Sequence, residues 1–110
     1  MTDAITGAGV ADGLYSLGTL DVHVHEGTVR GPDGVLAGSV LTMIEAFRNL
    51  LDLGVPFEDA VEAATVTPAR VLGEPELGRL DVGLPADLVV LNDGGEIERV
   101  LVAGEVRVAA

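Results

Sequence analysis

No cysteine occurs among the 110 residues, which removes disulfides, thiolate nucleophiles and cysteine-type zinc sites together. Aromatic residues are few, one Tyr and two Phe with no Trp, so small and branched aliphatics must do most of the packing. Positive charge is equally scarce: six basic residues, all Arg, face 18 acidic ones, for a formal charge of −12. Such a chain repels nucleic acid and presents a solvated acidic surface. Long hydrophobic runs are missing as well. Stretches such as residues 88–91 and 100–103 are far shorter than the roughly 20 residues a membrane helix needs. The first residues carry neither a positive segment nor an apolar run of secretory type, so the expected location is the cytoplasm.

Apolar residues make up 48% of the chain and charged residues 22%, the balance of a folded globular piece. A chain of this length can bury about two-thirds of its unfolded surface, enough for one modest core. Fifteen Gly and five Pro punctuate it. Residues 1–12, with Gly7 and Gly9, read as a loop. Residues 20–25 alternate apolar and polar positions strictly, which predicts a strand with one wet face, and Glu26-Gly27 and Pro32-Asp33-Gly34 read as turns. From Ser39 to Leu53 the apolar spacing predicts a helix, capped either by Ser39 or by a Thr42/Glu45 capping box, ended by Gly54 and barred from continuing by Pro56. A second helix is expected over 57–64, burying Val61 and Ala64. A short third follows, with Thr67 as cap, Pro68 at its first position and Gly73 as its stop. Beyond it, Leu80, Val82 and the runs at 88–91, 100–102 and 106–108 predict a small antiparallel sheet.

Several segments occur in a telling order: Thr2-Asp3-Ala4, the glycine-rich loop, Leu36-Ala37-Gly38-Ser39, Leu41-Thr42-Met43, Arg48-Asn49-Leu50, Thr67-Pro68-Ala69-Arg70, and Ala86-Asp87-Leu88-Val89-Val90-Leu91. In that order the chain resembles the C-terminal portion of the N-acetylglucosamine-6-phosphate deacetylase family of amidohydrolases, over essentially its whole length. The tail motifs are shared widely among amidohydrolases, whereas Asp3 followed by Leu-Ala-Gly-Ser and Leu-Thr-Met discriminates. Leu84 departs from the pattern, which more often has a basic residue there.

The resemblance implies an α/β fold: the C-terminal part of a (β/α)8 barrel plus strands of a small β-sandwich. Residues 1–73 would carry the catalytic-Asp loop, a hairpin and closing helices, and residues 74–110 the sandwich strands. A barrel of this kind takes about 250 residues, so the chain is expected to be the closing piece of a larger enzyme. It also implies hydrolysis of an N-acetyl sugar phosphate by a cytoplasmic homodimer with no nucleic-acid or membrane partner. Asp3 is implied as the proton-shuttling catalytic residue, and Leu36, Ala37 and Gly38 as the substrate-lining segment.

By residue type alone, Asp3 is also an ordinary acid in a terminal segment, and Leu36-Ala37-Gly38 a plain lead-in to a helix. An ordinary aspartate is too weak a base to activate free water. The family's divalent metal, zinc or iron, would therefore be needed, with its ligands expected upstream of this chain. His23 and His25 form the only His-x-His pair. They lie downstream of Asp3 rather than upstream, with no third ligand at a fixed spacing, and read as solvent-facing strand residues. Arg48 and Arg70 read as structural, pairing with helix-end carbonyls or acids. Two alternatives stay open: an amidohydrolase segment acting on a cyclic amide, and a non-catalytic module that retains only the tail fold.

Overall fold

The computed structural model describes residues 2–109. The chain is mixed α/β and divides into two compact units, residues 1–46 and residues 47–110.

The first unit is built on a four-stranded antiparallel sheet in sequential order: β1 (Gly13–Leu17), β2 (Leu20–His25), β3 (Thr28–Arg30) and β4 (Leu36–Ser39). The alternation in β2 does what its pattern predicts. Val22 and Val24 are fully buried while Asp21, His23 and His25 face water. With Val29 these valines form the core, packed by Ile5, Tyr15, Ala37 and Val40. Burying each valine contributes about 1.5–3 kcal/mol. His25 pairs with Thr28 across Glu26-Gly27, whose φ angles of 45° and 76° are both left-handed. That is the type I′ geometry whose twist suits a two-residue hairpin.

Leu36–Ser39 is strand, not helix lead-in, paired to β3 through a bulge. The first helix, α1 (Met43–Asp52), therefore starts later than its apolar spacing suggests. The capping box of Thr42 and Glu45 starts it: the Thr42 amide donates to Glu45 Oε2 at 2.8 Å and the Glu45 amide to Thr42 Oγ1 at 3.4 Å. Gly54 ends it as expected, its amide bonded to the Leu51 carbonyl and that of Val55 to Leu50.

In the second unit α2 (Phe57–Ala64) has the predicted bounds, but it buries Ala60, with Val61 and Ala64 only half-buried. The third helix, α3 (Val66–Leu72), begins one residue before Thr67; Thr65 flanks it and bonds its hydroxyl back to the Val61 carbonyl at 2.7 Å instead of capping. Gly73 ends it in the left-handed conformation. Phe47 and Phe57 meet edge to face with centroids 5.6 Å apart. A three-stranded antiparallel sheet follows, β5 (Leu88–Leu91), β6 (Ile97–Val102) and β7 (Glu105–Ala109). Leu80 and Val82 lie outside it in irregular chain, and Val82 is fully exposed. Asp87 accepts the Ala103 amide at 2.8 Å and the Ala86 carbonyl accepts that of Gly104, which pins the β6–β7 turn. Arg48 donates from Nε to the Gly95 carbonyl at 2.9 Å, a turn carbonyl rather than a helix end. Arg70 sits exposed in the last turn of α3.

Candidate functional site

Asp3 and the segment 36–38 stand more than thirty residues apart in sequence, and the fold brings their backbones into contact. The Ser39 amide donates to the Asp3 carbonyl at 2.9 Å and the Ile5 amide to the Ser39 carbonyl at 3.0 Å, which makes Ala4 and Ser39 a parallel bridge alongside β4. Ser39 closes the clip with its side chain. Its hydroxyl donates to the Thr2 carbonyl at 2.5 Å and accepts the Leu41 amide at 3.2 Å.

Gly38 permits this approach. A Cβ there would lie 2.7 Å from Ile5 Cγ2 and 3.2 Å from the Asp3 carbonyl, and its φ of 137° disfavours any other residue. Asp3 itself has φ 54°, a left-handed setting in which Asp is one of the better-tolerated side chains. Its side chain is exposed. On β4, Leu36 is 62% exposed while Ala37 and Gly38 are half-buried, so the strand offers an apolar side chain and approachable backbone.

Of the partners that build this clip, Thr2 and Ser39 stand in recognisable sequence segments, whereas Ile5 carries no signal of its own. Ser39, one of the two expected caps of α1, instead commits its hydroxyl to the Thr2 carbonyl and the Leu41 amide, and the cap falls to Thr42.

The histidine pair occupies the wet face of β2. The two rings are parallel within 2°, centroids 5.9 Å apart. His25 Nδ1 lies 3.1 Å from Asp12 Oδ2, and the same oxygen accepts the Glu26 amide at 2.9 Å. That backbone bond, opposed by partial desolvation and helped by His25, holds the Asp12 carboxyl below its ordinary value. Among the described residues there is no group of three or more His, Asp or Glu side chains able to enclose a metal ion. These residues therefore do not fit a complete catalytic metal centre by themselves. Nor is any helix long and apolar enough to cross a membrane.

The chain is 40% identical over 106 residues to an N-acetylglucosamine-6-phosphate deacetylase of Vibrio furnissii, covering 94% of this chain and 27% of the relative. It is 39% identical over 107 residues to an N-acetylgalactosamine-6-phosphate deacetylase of Escherichia coli O157:H7, covering 96% of this chain and 28% of the relative. The crystal structure of the N-acetylglucosamine-6-phosphate deacetylase of Thermotoga maritima superposes on 98% of the chain with a TM-score of 0.91 and 33% identity, using 30% of that protein. The chain thus spans between a quarter and a third of the length of these three proteins. The amidohydrolase family model matches residues 15–107, and on that match the chain belongs to the amidohydrolase family.

Proposed function

We propose that this chain is the C-terminal segment of a metal-dependent deacetylase that hydrolyses N-acetyl-D-glucosamine 6-phosphate to D-glucosamine 6-phosphate and acetate. The observation that supports the reading is the clip by which Ser39 bonds the backbone of Thr2 and Asp3, so that the residue bearing the carboxylate is tethered to the Leu36–Ser39 strand. Asp3 is the catalytic residue of this proposal. It takes a proton from the attacking water as the oxygen bonds to the acetyl carbon, and returns it to the sugar nitrogen as the C–N bond breaks. Leu36, Ala37 and Gly38 are the substrate-lining residues: the Leu36 side chain packs on the apolar face of the pyranose, and Gly38 leaves the backbone open to its hydroxyls.

Amidohydrolases generally depend on a metal, and a divalent ion such as zinc or iron would supply an acidified water and a polarised carbonyl. The ligands for it are expected on polypeptide outside this chain, so the chain alone is inactive in this reading. Barrel and sandwich, divided as residues 1–73 and 74–110, belong to the same proposal, as does a homodimer in the cytoplasm. The large apolar side chains left exposed support it. Leu14 is 78% exposed, Leu53 80% and Leu80 78%, the surfaces of a piece that packs against more protein.

Likeness to an N-acetylgalactosamine-6-phosphate deacetylase supports a second substrate, the 4-epimer of the first. The experiment joins this chain to the N-terminal portion of the Vibrio furnissii relative and measures acetate release from both sugar phosphates. Faster turnover of the gluco substrate is expected; preference for the galacto epimer would select the second reading, and no release from either would remove the deacetylase assignment.

A further inference from the structure

The outer face of β2 carries a constellation that the hydrolytic reading does not use. We propose that His23 and His25 form a chelating site for a borderline divalent cation of the copper, nickel or zinc class, with Asp12 as the residue that positions His25. This proposal does not depend on the deacetylase reading.

The two imidazoles sit at positions i and i+2 of a strand whose intervening residue, Val24, is buried, so both emerge on the same side. Their rings are parallel within 2° and 5.9 Å apart, and both are exposed. Rotation about their side-chain torsions, free at this exposed face, is what would turn one nitrogen of each ring toward a shared ion at the roughly 2.0–2.1 Å typical of imidazole ligation.

Asp12 decides which nitrogen faces the ion. An ionised carboxylate only accepts, so His25 Nδ1, 3.1 Å from Asp12 Oδ2, carries the proton and leaves the Nε2 lone pair free for a metal. A carboxylate behind a ligating imidazole in this way fixes its tautomer and raises its basicity. Asp12 is itself held by the Glu26 amide at 2.9 Å, and that amide belongs to the tight turn that ends β2. Arg30, paired across from His23 on β3, commits its Nη1 to the Gly34 carbonyl at 2.8 Å. With two protein ligands, water completes the coordination, and soft or borderline ions that prefer nitrogen are selected over magnesium and calcium.

The test is a titration of the purified 110-residue chain with copper(II), followed by calorimetry and by electron paramagnetic resonance. One ion per chain is expected, with hyperfine splitting from two imidazole nitrogens and no competition from excess magnesium. His23→Ala and His25→Ala should each weaken binding at least tenfold. Asp12→Asn, which keeps an acceptor for the Glu26 amide, should weaken it by roughly 10–100-fold. Binding at wild-type strength in the His23→Ala/His25→Ala double variant would overturn the site, and an unchanged affinity in Asp12→Asn would overturn the positioning role. A readout on the unaltered chain guards against misfolded variants: substoichiometric copper should broaden the ring-proton resonances of both histidines first, and broadening that spares them would sink the proposal.

Discussion

The carbonyl of Asp3 accepts the amide of Ser39 at 2.9 Å, and this bond ties the chain's first described residues to the end of β4. Whatever Asp3 does chemically, its position is set by a strand more than thirty residues away.

Replacing Asp3 by Asn tests the proton-shuttle role. Within a polypeptide that carries this chain behind a complete barrel, turnover should fall by roughly 10²–10⁴-fold, the range that positioned acid–base groups supply. The side chain is exposed, so thermal stability should hold within about 0.5 kcal/mol. Acetate release and a melting curve on the same sample separate the two effects, and near-normal turnover would exclude Asp3.

Gly38→Ala should lower stability by about 1–3 kcal/mol, because the new Cβ meets Ile5 Cγ2 at 2.7 Å in a backbone setting that disfavours it. Gly9→Ala is the control. Its φ is also positive, at 75°, but nothing lies within 4 Å, so only the conformational cost of about 1 kcal/mol applies. Denaturant titration of both variants should rank Gly38 well above Gly9. Adding Ile5→Ala should recover part of the Gly38→Ala loss, and strict additivity would mean that the Ile5 contact is not the cause.

Thr42→Ala should destabilise the chain by about 1 kcal/mol through loss of the cap on α1. Ser39→Ala acts elsewhere. It removes the bonds to Thr2 and Leu41, and should loosen residues 2–5 while leaving α1 intact. Amide hydrogen exchange distinguishes the outcomes: faster exchange at the start of α1 in Ser39→Ala would move the cap from Thr42 to Ser39.

Acid should weaken the hairpin through Asp12. Its carboxyl is held below its ordinary value of 3.8 in the folded chain, chiefly by the Glu26 amide. The stabilisation is therefore present above that value and lost as pH falls through the lower folded one. Wild type should melt above Asp12→Ala at neutral pH, with the gap narrowing only below about pH 4. A gap that stayed unchanged well below about pH 4 would exclude Asp12 as its cause.

Much of the fold is legible in the residues because the governing interactions are local. Strict alternation from Leu20 to His25 puts Leu20, Val22 and Val24 on one face, and the two valines are buried while Leu20, at the strand's end, is exposed. Gly54 followed by Val55-Pro56 ends α1 through bonds to carbonyls three and five residues back, all local in sequence. The bounds of α2 follow from its own spacing. Leu36–Ser39 escaped because four residues carry no period, and pairing with β3 decided their conformation. Thr67 and Pro68 look like a helix start by residue type, yet α3 begins at Val66, since Thr65 spends its hydroxyl on the preceding helix.

The candidate site divides in the same way. Its residue types, an Asp near a glycine-rich loop and a Leu-Ala-Gly-Ser segment, and its likeness to amidohydrolases are properties of the sequence alone, because they depend on order along the chain. What only the tertiary structure decided is which groups touch: Ser39 reaching Thr2, Gly38 yielding to Ile5, Asp12 backing His25. Those contacts span from 13 to 37 residues. No propensity or spacing rule encodes a hydrogen bond of that range, because it exists only after the sheet has paired and the valines beneath it have left water.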